Sequence, residues 1–286
     1  MASADGPRLI GELLNQAGGS LGHTTLMKLL FLLSQETVWG EEECPYEFVP
    51  YRFGPFSFAA YRDLAKLEAE GIVERNERRV TLAPGAHAFL GGAAAAVSYV
   101  VAEYGGRSHR DLLAGTYRRY PWYSVLTERA DLVSEPVSLP TAPRAVYTVG
   151  YGGRSIDGFL NHLLARGLQG VIDVRSRPCS RVFGFAKSRL QDYLQRLGLS
   201  YVGEPGLGVP PAQRQGADAP AARQALLCAY GWRVAEARTP DLERVATAVR
   251  ERPVALLCVE ADPAACHRSI LAGIVAARTG LPIVHL

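Results

Sequence analysis

Nothing in the 286 residues approaches the roughly 18–20 consecutive apolar residues of a membrane span, so no membrane association is expected. The start, MASADGPRLIGELL, lacks the basic stretch followed by an apolar one that marks a secretory leader, and a cytoplasmic location is the expectation. There is no C-x-x-C pair, and the five cysteines, Cys44, Cys179, Cys228, Cys258 and Cys266, are scattered and odd in number. That argues against a disulfide framework and suits free thiols in a reducing compartment. No internal repeat and no low-complexity tract interrupts the chain.

What is present is the composition of a globular protein, 48% hydrophobic and 21% charged, at a length that suits two domains. The formal charge of +3 hides an asymmetry: residues 1–140 carry 13 basic and 17 acidic side chains, residues 141–286 carry 18 and 11. A polyanionic partner is therefore expected against the second half.

In the first half, RLIGELLNQA (8–17) reads as a short helix ended by Gly18 and Gly19, and Thr24 to Val38 as a second with Leu26, Leu29, Leu30 and Leu33 at helical spacing. After the acidic patch Glu41 to Glu43, an extended segment ends at Gly54-Pro55, and Ser57 is placed to cap a helix through Ala69. IVERNERRVTL alternates apolar and polar residues around Asn76, the pattern of a β-hairpin. Three helices and then a hairpin is the order of a winged helix-turn-helix, with Arg75, Arg78 and Arg79 as wing residues near phosphate. Such modules also dock proteins or dimerise, so a homodimer is a further expectation. Two more helices, 91–104 and 108–120, precede a linker through Ser134, Pro136, Pro140 and Pro143. The expected boundaries are 1–130 for the first domain, 131–144 for the linker and 145–286 for the second domain.

From Ala145 strands and helices alternate, which implies an α/β domain with a Rossmann-like, mostly parallel sheet. Strands are predicted at 145–149, 170–174, 199–202, 253–258 and 282–285, and helices at 156–166, 186–197, 221–237, 241–251 and 263–279. The Gly/Pro-rich stretch 205–220 reads as a long loop, mobile or a lid. Three strand ends carry chemistry toward one crevice. The first, VGYGGRS (149–155), has glycines for close backbone approach and Ser155 as a helix cap; it is neither G-x-G-x-x-G nor a P-loop, and no cofactor is expected. The second, IDVRSRPCSR, presents Asp173 and Arg175, followed by Arg177, Arg181, Lys187 and Arg189, with Phe183 and Phe185 interleaved as base-stacking candidates. A solvated surface with both aromatics in the core accounts for the same residues, and Asp173 equally serves to orient Arg175.

The third, PVALLCVEADPAACHRS (253–269), runs a buried strand into Cys258, Glu260 and Asp262, with Asp262-Pro263 as a helix start and Cys266, His267 and Arg268 in its first turns. In one reading Glu260 is the base or nucleophile, His267 moves a proton, and Arg175 and Arg268 bind phosphate, giving an N-glycosidic hydrolase on a nucleotide or nucleic acid. A second makes Cys258 a nucleophile, although Glu260 and Asp262 would raise a nearby thiol's pKa. A third treats Cys258, Glu260, Cys266 and His267 as zinc ligands. Adjacent helical residues 266 and 267 point to different sides, so no metal is expected.

Through LMKLLFLL, YRFGPFS and SHRDLLAGTYRRYPWYS, residues 8–125 resemble winged-helix domains grouped with the Panacea and SocA-like antitoxin families. VGYGGRS, IDVRS, the C-x-E element and the C-H-R element resemble the domain of unknown function 488 family across residues 145–286, with Tyr151, Arg154, Asp173, Arg175, Cys258, Glu260, Cys266, His267 and Arg268 at its motif positions. The second resemblance implies a compact Rossmann-like domain without an established reaction. The functional expectation is a nucleic-acid- or nucleotide-processing enzyme, catalytic at Glu260, His267 and Asp173. Tyr151, Arg154, Arg175, Arg268, Cys258 and Cys266 are then substrate-binding, and DNA or a phosphorylated small molecule is the partner. The alternative is a DNA-binding regulator whose α/β domain senses a small anion.

Overall fold

The computed structural model describes residues 5–37, 44–86, 94–215, 219–237 and 239–286, and the chain forms two compact units, Met1–Ser138 and Leu139–Leu286. Val38 and the acidic patch Glu41 to Glu43 lie outside the described residues.

In the first unit α1 (Gly6–Gln16) buries Leu9, Ile10, Leu13 and Leu14, and β1 (Ser20–Gly22) leads into α2 (His23–Glu36). Helix α2 buries every residue from Leu26 to Leu33, Lys28 included, as a helix apolar on all sides must. The extended segment expected before Ser57 is a small hairpin of β2 (Val49–Tyr51) and β3 (Gly54–Phe56). Ser57 then caps α3 (Phe58–Ala69) by accepting from the Ala60 amide at 3.2 Å. Asn76 closes the hairpin of β4 (Val73–Arg75) and β5 (Arg79–Leu82), its Oδ1 accepting from the Arg78 and Arg79 amides at 2.9 Å. β1 pairs with β5, so the antiparallel sheet runs β1-β5-β4. Helices α4 (Ala94–Tyr104) and α5 (His109–Arg119) follow, and residues 91–93 of the predicted helix lie outside the described residues. Leu132 of the expected linker packs with Leu113 and Tyr117.

The second unit builds one five-stranded, wholly parallel sheet from β6 (Val146–Gly150), β7 (Gly170–Asp173), β8 (Ser200–Gly203), β9 (Ala255–Cys258) and β10 (Ile283–His285). Its order is β10-β6-β9-β7-β8, so β9 inserts between β6 and β7. Strands β6, β7 and β9 are buried at every residue, the signature of a parallel sheet covered on both faces. The crossovers are α6 (Ile156–Ala165), α7 (Lys187–Arg196), the short α8 (Pro211–Arg214), α9 (Pro220–Ala237), α10 (Thr239–Glu251) and α11 (His267–Thr279). Ser155 caps α6 by accepting from the Gly158 amide at 3.0 Å.

The loop after β8 differs from the mobile or lid-like expectation over its first part. Leu207 and Val209 are buried in the core, Tyr230 donates to the Leu207 carbonyl at 2.7 Å, and Ser176 donates to the Val209 carbonyl at 2.7 Å. Gly208 passes so close to the β7 loop that a Cβ there would lie 2.1 Å from the Ser176 nitrogen. Residues 216–218 of the same stretch lie outside the described residues.

Among the described residues no helix is long and apolar enough to cross a membrane.

Candidate functional site

The carboxyl ends of β6, β7 and β9 meet in the middle of the sheet, and their loops touch. Gly150 ends β6 opposite Cys258, and a Cβ at Gly150 would lie 1.8 Å from the Glu260 carbonyl oxygen. Only glycine lets the loop after β9 pack there. Asp262 caps a single 3-10 turn, Pro263–Ala265, accepting from the Ala264 amide at 2.8 Å. The α-helix expected from residue 263 begins instead at His267, with Cys266 as an extended N-cap at φ −130° and ψ 137°.

That break overturns the geometric objection to Cys266 and His267 acting together. Cys258 Sγ lies 3.7 Å and Cys266 Sγ 3.9 Å from His267 Nδ1, and all three side chains are buried. His267 Nε2 lies 3.1 Å from the Val174 carbonyl, which can only accept. The proton therefore sits on Nε2, and Nδ1 presents its lone pair to the sulfurs. The two buried thiols are pushed in opposite directions: the hydrogen bond to Cys266 pushes Cys258 up, with burial adding to it. The same bond holds Cys266 well below the ordinary thiol range against its burial.

These three residues line a cavity of about 200 Å³ together with Val209, Leu226, Leu227, Val259, Glu260, Ala265, Arg214 and Arg223. Tyr230 walls the imidazole, its ring centroid 5.1 Å from that of His267 in an edge-on contact. Glu260 is exposed at the rim, and Arg214 is exposed and Arg223 half-buried. The sequence reading missed both arginines, because a Gly/Pro-rich loop and the first turn of α9 carry no motif that ties them to β9.

Several expected site residues are occupied elsewhere. Asp173 is buried and receives Arg175 Nε at 2.8 Å, Arg175 Nη2 at 2.6 Å, the Arg175 amide at 3.1 Å and the Tyr201 hydroxyl at 2.8 Å. Both its oxygens are committed, which does not fit a catalytic base. Arg175, 2% exposed, gives its remaining donors to the Phe185 carbonyl at 2.9 Å and the Tyr151 hydroxyl at 3.2 Å. Burial opposes its charge, yet the Asp173 carboxylate beside it raises its pKa overall. Arg268, 0% exposed, ties down the loop after β9 through the Glu260 and Ala261 carbonyls, at 2.5 and 2.9 Å. Its Nε has no partner among the described residues. Both guanidinium groups are buried and hold protein partners, which does not fit the expected phosphate-binding role and gives them a structural one. Tyr151 is likewise buried, stacked on Phe185 at 4.1 Å between ring centroids, while Arg154 is half-buried.

Of the basic residues after β7, Arg177, Arg181, Lys187 and Arg189 are exposed. The base-stacking expectation fails at Phe185, which is fully buried against Tyr151 and Phe159, and Phe183 leans half-buried on Tyr193.

In the first unit Arg75 is paired with Glu68 and lies over the Tyr61 ring, and Arg79 donates to Ser20 Oγ and Ser20 O at 2.8 and 2.7 Å. Arg78 is exposed at the hairpin tip. A second cavity, about 540 Å³, is lined by aromatic residues including Tyr51, Phe56 and Tyr61, and by Lys28.

A parallel α/β unit with a thiol and imidazole cavity at its carboxyl edge is thus the class of protein defined by the fold and site. Residues 155–275, within the C-terminal unit, match the family described as domain of unknown function DUF488. No curated protein matches the chain.

Proposed function

We propose that the C-terminal unit hydrolyses a bond in a nucleotide or nucleic acid, with the 200 Å³ cavity as the reaction centre and Glu260 as the base that activates water. The supporting observation is convergence: one carboxylate and two arginines, Glu260, Arg214 and Arg223, surround a single cavity at the carboxyl edge of a parallel sheet. The volume is below the roughly 300 Å³ at which pockets for drug-sized ligands begin. It suits a base or a phosphorylated sugar entering from a larger substrate. In the N-glycosidic form of the reaction, water adds to the anomeric carbon, the bond to the base nitrogen breaks, and the base leaves with a proton.

The test is release of free base from single-stranded oligonucleotides and from nucleotides by wild type and Glu260→Gln. Loss of a positioned base lowers turnover by about 10²–10⁴-fold. Turnover unchanged by Glu260→Gln sinks the assignment.

A second reading, a winged-helix module that contacts DNA, is favoured by the order of helices and strands in the first unit and by the exposed Arg78. It predicts salt-sensitive binding of duplex DNA that Arg78→Ala weakens and Glu260→Gln leaves alone.

A further inference from the structure

We propose that Cys258, Cys266 and His267 hold one zinc ion, with its fourth coordination position open to the cavity beside Glu260. The three ligand atoms, two Sγ and His267 Nδ1, all lie within 4.8 Å of one another. A tetrahedral ion with Zn–S of about 2.3 Å and Zn–N of about 2.0–2.1 Å spans ligand pairs roughly 3.5–3.8 Å apart. The observed sulfur to nitrogen separations are 3.7 and 3.9 Å and the two sulfurs lie within 4.8 Å of each other, so the nitrogen is already at ligand distance and the sulfurs close by at most about 1 Å, within the reach of small cysteine χ1 rotations.

The imidazole is held as a ligand. Its Nε2–H donates to the Val174 carbonyl at 3.1 Å, which fixes the ring and aims the Nδ1 lone pair at both sulfurs. A hydrogen bond from the far ring nitrogen to a carbonyl is the support that metal-bound histidines commonly have. The backbone supplies the rest: Cys258 comes from the end of β9, and the extended N-cap conformation of Cys266 turns its sulfur to the side where His267 points.

Three protein ligands and an open position are the arrangement of catalytic zinc, where water or substrate completes the tetrahedron. Glu260 is exposed at the rim and leaves that position open. This inference goes beyond the hydrolase reading and does not rest on it, since metal content is measured without any substrate.

The experiment uses the full chain, purified without chelator from zinc-supplemented culture and assayed by elemental analysis. The apoprotein, checked as folded by circular dichroism, is then titrated with Co²⁺. Expected are about one zinc per chain and a thiolate-to-cobalt absorption with the intensity of tetrahedral geometry. Cys258→Ser and Cys266→Ser each abolish that absorption, while the exposed-thiol variant Cys179→Ser/Cys228→Ser keeps it. The wild-type titration is decisive even where a serine variant fails to fold. Folded wild type with neither zinc nor a cobalt–thiolate band overturns the proposal. So does a band that survives both buried-cysteine substitutions or disappears with the exposed ones.

Discussion

Lys28 is a charged residue inside a helix that is otherwise buried leucine, phenylalanine and methionine, with its Nζ donating to the Pro55 carbonyl at 2.7 Å. Burial pushes its ammonium down from 10.5 to about 7. Between about pH 7 and 10 the unfolded chain keeps that proton while the folded one releases it. Stability therefore rises with pH across that window, by roughly 1.4 kcal/mol per unit, and the slope vanishes below about pH 7. Lys28→Met should flatten the dependence and raise the urea midpoint at pH 6; equal slopes in both proteins would contradict the burial account. Asp173 carries the opposite case, a buried carboxylate fully paired with Arg175 and Tyr201. Asp173→Ala strands the Arg175 charge and should cost about 3–5 kcal/mol in denaturant unfolding. The sequence put both residues of this pair at the right strand end, and proposed Asp173 as Arg175's orienting partner. It could not show that the guanidinium turns inward, because a strand-end arginine followed by a basic loop reads the same whether buried or solvated. Arg268 is the same kind of residue, its role visible only once the Glu260 and Ala261 carbonyls are seen beside it.

Elements were easier to read than contacts. Alternation of short apolar runs with helical periodicity located β6, β7, β9 and the helices between them, because each run must be buried on both faces of a covered sheet. The misses are local. β1 is three residues long and gains its identity only by pairing with β5, sixty residues on. Asp262-Pro263 is a genuine start signal, but for a 3-10 turn that breaks at Cys266, so α11 begins at His267 rather than at residue 263. That break brings the two thiols and the imidazole together, and no propensity announces it. Gly150 makes a prediction at this scale: Gly150→Ala drives a Cβ into the Glu260 carbonyl, so the loop after β9 must move. The expected cost is about 1–3 kcal/mol in unfolding free energy, with weaker ligand binding in the cavity. An alanine variant with unchanged stability and unchanged binding would show that the loop is not held where the packing puts it.

At the scale of the whole molecule, the two compact units divide the charge unevenly, and every residue of the candidate cavity lies between positions 209 and 267 of the second. Fragment 139–286 should therefore unfold cooperatively by itself and bind cavity ligands as the full chain does; loss of binding in a folded fragment would mean that the first unit contributes to the site. The basic surface after β7 and the cavity arginines offer an anionic substrate two distinct places. Phosphate contacts along an exposed basic loop position a strand, whereas groups around a cavity select what enters it. The measurement that separates them is equilibrium binding of a labelled single-stranded oligonucleotide across a salt series, with a nucleoside monophosphate as competitor. Wild type is compared with Arg214→Ala/Arg223→Ala and Arg177→Ala/Arg181→Ala. A reaction centre in the cavity predicts that the first pair of substitutions abolishes competition by the mononucleotide, at a loss of tenfold or more in its affinity, about 1.4 kcal/mol. The second pair should lower only the salt-dependent part of oligonucleotide binding. Mononucleotide affinity unchanged by Arg214→Ala/Arg223→Ala would contradict the placement of the reaction centre in this cavity.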